Sequence, residues 1–176
     1  MNEDQGSAVR IVRLMEANED ALRLLQEYYE AINVVQRDTP AAIQKIIDDP
    51  SSGVWLGYLR DEGAGKESAG NEAGDKAVGC VVLRKLVSIP FAAECKRLYV
   101  RPEARGHGIA RVLLDALEDF ARSQGLRWIY LDSYDDLKAA LDLYRKRGYR
   151  PCERYNDNPQ ATVFLRKEIS ELAKEN

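Results

Sequence analysis

Residues 94–125 read ECKRLYVRPEARGHGIARVLLDALEDFARSQG. The first part has the composition of a strand, and an x-Pro turn follows it at Arg101-Pro102. Apolar residues then recur at helical spacing from Ile109 to Ser123, and Gly125 is a typical helix stop. The pattern predicts a strand, a glycine-bearing turn and a long amphipathic helix in direct succession.

The turn has the composition of an anion site, because it reads Arg105-Gly106-His107-Gly108-Ile109-Ala110. The first turn of a helix leaves main-chain N–H groups unpaired and carries a partial positive charge, and glycine lets an anion approach that main chain closely. A pyrophosphate would fit there, and a purely structural turn is the alternative. The Walker pattern is absent because no Gly-Lys followed by Ser or Thr occurs here, and the dinucleotide fingerprint lacks its third glycine, since position 111 is Arg111.

The flanking sequence predicts a mixed α+β order of elements. Before the turn, we predict strands at Val9–Leu14, Val54–Arg60, Ala77–Leu86 and Glu94–Val100, with helices starting after an Asn18 or Asp20 cap and after Thr39-Pro40. After it, we predict strands at Leu126–Leu131, Tyr149–Tyr155 and Thr162–Lys167, and a helix at Asp135–Arg147. A strand, a crossover helix and a buried strand in succession imply one parallel pair.

Length and composition limit the classes of protein. The 176 residues predict a single domain, residues 1–176, with its core at about 8–168 and a flexible hairpin loop at 61–76, which is polar and glycine-rich. The net charge of -3 gives no broad basic field for nucleic acid. One histidine and three widely spaced cysteines give no sign of a metal site.

The expected location is the cytoplasm, with no membrane partner. Met1–Gln5 is polar and acidic, unlike a signal peptide, and no apolar run approaches the roughly 20 residues that cross a bilayer. We read the cysteines as reduced structural thiols.

Two segments carry a family resemblance. Residues 94–110 resemble the acetyl-CoA-binding segment of GNAT (GCN5-related) acetyltransferases, whose pattern of Arg or Gln, two residues, Gly, any residue, and Gly or Ala is matched by Arg105, Gly108 and Ala110. Residues 139–149, AALDLYRKRGY, resemble the later motif, in which an Ala and a Leu-Tyr pair precede a Gly-aromatic helix stop. The resemblance implies the GNAT fold, a mixed and largely antiparallel sheet of about seven strands, with one parallel pair splayed at the CoA site and helices on both faces.

The resemblance also implies an activity and a donor site. The chain would be an acyl-CoA N-acyltransferase that moves an acetyl group from acetyl-CoA to a primary amine of a small molecule, peptide or protein, by direct attack in a ternary complex and without a metal. The implied CoA-binding residues are Leu98, Tyr99, Val100, Arg105, Gly106, His107, Gly108, Ile109 and Ala110. Structural alternatives are a solvated Arg105, a core role for the strand side chains, and plain exposure of His107.

Two residues match catalytic positions of that family. An acceptor amine of the lysine type has a pKa of about 10.4 and must lose a proton before it attacks, so a base is useful. Glu94 stands where some family members have a glutamate base, acting directly or through water, and strand alternation would place it on one face with Lys96, Leu98 and Val100. An ion pair with Lys96 is the alternative. Tyr144 matches the general acid that protonates the departing thiolate, and a core tyrosine is its alternative.

The acceptor side has weaker candidates. Asp132 and Ser133 end a buried strand and would face the acceptor channel, although Asp132 is also placed to cap the next helix. Arg97 and Tyr29, and after them Tyr28 and Tyr155, are further candidates for the acceptor pocket. A carboxylate such as Asp132 points to a cationic acceptor, and the loop at 154–159 has no assignment.

Other functions stay open at the level of sequence. A GNAT-like module that binds acyl-CoA without turnover, as a sensor or interaction module, is the main alternative, and a domain that binds ATP or NAD through the same turn is another. An exposed edge strand near the C-terminus could support a homodimer.

Overall fold

The computed structural model describes residues 9–60 and 74–170. The strands are β1 (Val9–Arg13), β2 (Gly53–Arg60), β3 (Asp75–Lys85), β4 (Ala92–Val100), β5 (Trp128–Ser133), β6 (Arg150–Pro151) and β7 (Val163–Glu168). The helices are α1 (Glu19–Ala31), α2 (Pro40–Asp48), α3 (Ile109–Ser123) and α4 (Lys138–Lys146), with a single 3-10 turn at Pro102–Ala104.

One seven-stranded sheet, in the order β1-β2-β3-β4-β5-β7-β6, organises the fold. The β4–β5 pair is parallel and the other neighbours are antiparallel, which confirms the predicted mixed sheet. β4 pairs with β5 only from Ala92 to Glu94, although both strands run further. The two strands therefore part beyond Glu94, and this splay opens the sheet between them.

A bulge in β4 changes which side chains share a face. Two residues, Arg97 and Leu98, lie opposite Val81, and Arg97 has a left-handed φ of 57°. The extra residue reverses the alternation, so Leu98 packs against the core under α3 whereas Lys96 pairs with Val82 on the α1 side. The expectation that Glu94, Lys96, Leu98 and Val100 share one face is therefore wrong beyond Lys96.

Apolar cores lie on both faces of the sheet, as predicted. One core contains α3 and α4, and the other contains α1 and α2. α3 lies very close to the sheet at Gly79, where a Cβ atom would be 2.9 Å from the carbonyl oxygen of Tyr99 and 3.2 Å from Cγ2 of Ile109. This close approach fixes the start of α3 beside the end of β4.

The predicted starts of the first three helices agree with the structure. Asn18 caps α1, its Oδ1 accepting from the N–H of Ala21 at 2.9 Å, and Thr39 caps α2. α3 has the predicted bounds, and α4 is shorter than predicted.

The C-terminal strands differ from the prediction. β6 has only two residues, because Pro151 lacks an N–H and because Tyr155 and Asn156 bond to Glu94 and leave the sheet. An edge this short and proline-bearing is poorly suited to pairing with a second chain, and the homodimer stays a prediction.

The predicted loop at 61–76 falls largely outside the described residues. Asp75 and Lys76 belong to β3 and Gly74 is a turn. No helix in the two described ranges is long and apolar enough to cross a membrane.

Candidate active site

Two adjacent cavities occupy the splay between β4 and β5. The first, which we call the turn groove, has a volume of about 680 Å³ and lies between the end of β4, the turn at 104–111, and the start of α4. The second, the loop cavity, has a volume of about 490 Å³ and lies between β4, the end of β5, and the loops at 34–38 and 156–160. Both are lined by Tyr28, Ile32, Leu98, Leu137 and Ala140. These shared walls place the two cavities side by side.

The turn groove ends at the start of α3. Gly106 and Gly108 have left-handed φ angles of 84° and 73°, and a Cβ atom built on Gly106 would meet nothing within 4 Å. Within the described chain, no protein group accepts a hydrogen bond from the N–H groups of residues 106–110. An open space thus lies above unpaired donors at the positive end of a helix, which is the environment that a phosphate requires.

The side chains of this turn divide into two groups. Arg105 lines the turn groove, and its Nε donates to the carbonyl of Val100 at 3.1 Å, which ties the turn to the strand end. His107 lines neither cavity, and its Nδ1 lies 3.2 Å from the carbonyl oxygen of Ala104 and 3.1 Å from that of Arg105. Arg105 therefore lies at the groove, whereas the His107 ring contacts carbonyl groups of its own loop.

The end of β4 forms a wall of the turn groove. Leu98, Tyr99 and Val100 line it, and Leu98 and Val100 also pack against the core under α3. The predicted binding role and the core alternative are therefore compatible. Beyond Glu94 this edge of β4 has no partner in β5. Apart from the Val100 carbonyl, which accepts from Arg105, its main-chain groups can therefore pair with an extended ligand.

Tyr144 of α4 forms part of the wall of the loop cavity. The residue is 7% exposed, and its ring lies edge to face against Tyr149 at 5.7 Å. No described residue forms a hydrogen bond with its hydroxyl group. Burial raises the pKa of Tyr144 well above its ordinary value, and Cys95 raises it further. The hydroxyl is therefore protonated at neutral pH and can donate a proton into the cavity.

Glu94 lies behind the loop cavity. It is fully buried and lines neither cavity. Its Oε2 accepts from Arg84 at 2.8 Å, and its Oε1 accepts from Lys96 at 3.2 Å, Tyr155 at 2.9 Å and Asn156 at 3.0 Å. The predicted ion pair with Lys96 is present, but it is buried and shared with Arg84. A proton from the cavity can reach Glu94 only through an intermediate group.

Asp132 and Ser133, the predicted acceptor residues, both line the loop cavity. Oδ2 of Asp132 accepts from Asn156 at 2.7 Å and from Asn158 at 3.2 Å. The capping alternative is wrong, because α4 starts after Leu137 and has no side-chain cap. Asp132 is thus held on the cavity wall by two amide groups.

Arg97 and the two tyrosines of α1 meet on the other side of this cavity. Arg97 lines it, donates through Nε to Asp38 at 3.0 Å, and lies over the rings of Tyr28 and Tyr29. Tyr29 lines neither cavity, and its hydroxyl donates to Asp38 at 2.8 Å. Tyr28 lines both cavities, and burial raises the pKa of Tyr28 to about 12. Of the two, the structure brings Tyr28 to the site and not Tyr29.

Comparison with known proteins identifies the family of the chain. The profile of the acetyltransferase (GNAT) family matches residues 18–149. The chain belongs to the GNAT acetyltransferase family.

Relatives and solved structures are similar to this GNAT chain over about half of its length or more. An uncharacterized N-acetyltransferase of Schizosaccharomyces pombe is 28% identical over 173 residues, covering 93% of this chain and 95% of the relative. The N-alpha-acetyltransferase RimI of Mycobacterium tuberculosis is 39% identical over 82 residues, covering 46% of this chain and 50% of RimI. A GNAT acetyltransferase structure from Staphylococcus aureus has a TM-score of 0.69 at 19% identity, covering 92% and 99% of the two chains, and shows the shared fold.

The candidate site also contains residues that sequence reasoning missed. Asn156 and Asn158, in the loop left without an assignment, bond to Glu94 and Asp132 across 24 to 62 residues of chain. Tyr134 and Arg84 line the loop cavity. No local pattern indicates contacts over such separations, although two asparagines flanking Asp157 are a sign of a structured polar turn. In the described part of the chain, no group of three or more His, Cys, Asp or Glu residues could hold a metal ion.

Proposed function

We propose that the protein is an N-acetyltransferase that moves an acetyl group from acetyl-CoA to a primary amine. Membership of the GNAT family supports acetyl transfer in general. One observation carries the proposal, namely that a groove ending on unpaired helix N–H groups adjoins a cavity whose wall contains the protonated Tyr144. The groove suits the donor and the cavity suits the acceptor, so both substrates can be bound together.

The donor would lie in the turn groove. The main-chain N–H groups of residues 106–110 and the side chain of Arg105 would hold the pyrophosphate. The pantetheine arm would run along Leu98–Val100 as an added strand, because this edge of β4 has no partner there. The thioester would then reach the walls that the turn groove and the loop cavity share.

Acetyl transfer then needs three events. The ammonium of the acceptor loses a proton, the free amine attacks the thioester carbonyl carbon, and the carbon–sulfur bond breaks with the electron pair leaving on sulfur. Tyr144 donates its proton to that sulfur, and a main-chain N–H of the β4 end polarises the carbonyl oxygen. The acylated nitrogen then loses its second proton, which restores the Tyr144 hydroxyl group. The reaction yields the acetylated amine, free CoA and one proton released to solvent.

Glu94 remains the candidate base, with a restricted route. Because it lines neither cavity, direct contact with the acceptor is disfavoured, and we propose that the proton passes through a water molecule. Two cations and two further donors hold the carboxylate in place, which gives it a structural role as well.

A reducing, cytoplasmic setting belongs to the same proposal. Cys80, Cys95 and Cys152 are free thiols. Burial raises the pKa of Cys80 to about 12 and also raises the pKa of Cys95, so both thiols stay protonated and unreactive.

The test is an acetylation assay with purified protein, acetyl-CoA and a panel of primary amines. CoA release is followed through its thiol, and mass spectrometry checks that the product has gained one acetyl group. Turnover of at least one amine supports the enzyme. Tight acetyl-CoA binding without turnover across small amines, peptides and proteins would favour the non-catalytic module instead.

A further inference from the structure

The loop cavity contains four basic side chains, and none of them neutralises Asp132. Arg84 and Lys96 both pair with Glu94, and Arg97 pairs with Asp38. Arg37 donates through Nε to the carbonyl of Val34. In the described ranges, 9–60 and 74–170, no lysine or arginine forms an ion pair with Asp132.

The Asp132 carboxylate has one oxygen that is held and one that is available. Asn156 and Asn158 both donate to Oδ2, which fixes the orientation of the group. No residue of the described chain donates to Oδ1, and Asp132 is partly exposed on the wall of the loop cavity. A carboxylate oxygen in this position has room for strong hydrogen bonds from a cation.

Aromatic rings line the same cavity. Tyr28, Tyr134 and Tyr144 all contribute to its wall. Burial is the main cause that raises the pKa of each of these tyrosines, and the nearby negative charge of Asp132 raises each pKa further. The three phenol groups are therefore close enough to Asp132 to respond to its charge. A cavity that combines aromatic rings with a carboxylate favours an organic cation over a neutral or anionic ligand, because aromatic rings also attract cations.

We propose that Oδ1 of Asp132 binds the ammonium group of the acceptor, and that the acceptor is a primary ammonium attached to an apolar or aromatic body. This proposal rests on the proposed acetyl transfer. Such a group is found on small arylalkylamines and at the N-terminus of a peptide, and the cavity chemistry is the same for both. Asp132 is then the residue that selects the charge of the acceptor.

Binding to the CoA-loaded protein tests the proposal. Phenethylamine and 2-phenylethanol have nearly the same shape and differ in charge, so the ratio of their dissociation constants from calorimetry measures the preference for an ammonium. We expect phenethylamine to bind about tenfold or more tightly than the alcohol. Asp132→Asn should reduce this ratio to about twofold, because the amide keeps the shape and removes the charge.

Asp157→Asn is the matched control. Asp157 lines the same cavity and the change removes the same charge, but Asp157 has no hydrogen bond or ion pair within the described residues. The ratio of the two dissociation constants in Asp157→Asn should stay at the wild-type value. A second variant, Tyr134→Leu, should lower the ratio by about two- to fivefold through loss of one ring, and it gives a reading even if Asp132→Asn does not fold.

Several outcomes overturn the proposal. These are a wild type with no preference for the amine, an Asp132→Asn variant that keeps the full ratio, and an Asp157→Asn variant whose ratio falls as far as that of Asp132→Asn. Binding of acetyl-CoA is measured on the same samples. If acetyl-CoA binds while one of these outcomes occurs, the proposal for Asp132 fails alone; if acetyl-CoA does not bind the wild type, the proposed function fails. The tripeptide Ala-Ala-Phe-amide, assayed beside phenethylamine, identifies the source of the ammonium, since the tighter ligand indicates a chain end or a small molecule.

Discussion

Tyr144 is buried against Tyr149, yet its hydroxyl faces a cavity and has no bonding partner in the described chain. We predict that Tyr144→Phe lowers kcat by about 100-fold, which is typical of the loss of a general acid, and leaves the dissociation constant of acetyl-CoA nearly unchanged. Because burial raises the pKa of Tyr144, the hydroxyl stays protonated as the pH rises to about 9, and wild-type kcat should show no fall from this group below that pH.

Steady-state kinetics and calorimetry measure the two effects of Tyr144→Phe. Tyr58→Phe is the control, because Tyr58 bonds to Asp20 on the far side of the sheet. If Tyr144→Phe binds acetyl-CoA more weakly and keeps its kcat, Tyr144 has a packing role and is not the general acid.

The contacts of Glu94 are compatible with two roles, a general base and an anion that stabilises the fold. Glu94→Gln leaves Arg84 and Lys96 without their carboxylate, and Lys96 is only 15% exposed, so we predict a loss of about 3 kcal/mol in the free energy of unfolding. If Glu94 is also the base, the rise of kcat/KM with pH moves to higher pH, because more of the amine must then lose its proton unaided. Urea unfolding and a pH–rate profile measure these two effects.

Glu103→Gln is the control for Glu94→Gln, because it breaks an exposed ion pair with Lys76. We expect its stability to change by less than about 1 kcal/mol. A normal pH–rate profile in Glu94→Gln would leave Glu94 with the structural role alone.

At the scale of elements, the position of α3 on the sheet determines where the turn groove ends. Gly79→Ala would place a Cβ atom 2.9 Å from the main-chain oxygen of Tyr99, which cannot move without disturbing the β4 end. We predict a loss of about 1–3 kcal/mol in stability together with weaker acetyl-CoA binding, both measurable by thermal unfolding with and without the ligand.

Gly57→Ala provides the comparison for Gly79→Ala. Its nearest contact would be the side-chain Cγ2 of Ile109 at 3.2 Å, which can adjust, so a smaller loss is expected. Equal losses of stability and of acetyl-CoA binding in the two variants would show that contact with the main chain at the end of β4 has no special effect.

Two loops meet over the loop cavity. Gln160 donates through Nε2 to the carbonyl of Asn33 at 3.0 Å, and its Oε1 accepts from the N–H of Val35 at 3.0 Å. We predict that Gln160→Ala raises the KM of the acceptor about three- to tenfold, because the loops must then be ordered by the acceptor itself, while the affinity for acetyl-CoA stays the same.

Initial-rate kinetics with each substrate varied in turn would show the effect of Gln160→Ala. Gln124→Ala, at the far end of α3, serves as the control. A loss of acetyl-CoA affinity in Gln160→Ala with no change in acceptor KM would rule out this function of the loop contact.

Across the whole molecule, the sequence predicted those helix bounds and strand pairings that depend on residues close together in the chain. The bounds of α3 follow from its apolar period and its flanking glycines, and the starts of α1 and α2 follow from Asn18 and Thr39. The parallel pair follows from the order strand, helix, strand. The turn at 105–110 and Tyr144 could be proposed as site residues from the sequence because the family motifs are themselves short and contiguous.

The remaining features depend on contacts that are distant in sequence. The β4 bulge places Arg97, a non-glycine residue, at a positive φ. Its ion pair with Asp38 and its contact with the aromatic rings of α1 hold it there, and these partners are distant in sequence. Asn156 reaches Glu94 across the sheet, so its role is invisible in the local sequence. For the same reason, alternation along β4 predicted the wrong face for Leu98.

We propose that the splay between β4 and β5 is an acetyl-CoA site, and thermal unfolding with acetyl-CoA, CoA, ATP and NAD is the experiment that checks this site. A ligand at 100 times its dissociation constant stabilises the fold by about 2.7 kcal/mol, which raises the Tm of a domain this size by roughly 5–10 °C. We predict a shift of this size with acetyl-CoA and CoA and none with ATP or NAD. A shift with ATP or NAD in place of the CoA compounds, or no shift with any of them, would contradict an acetyl-CoA site in this splay.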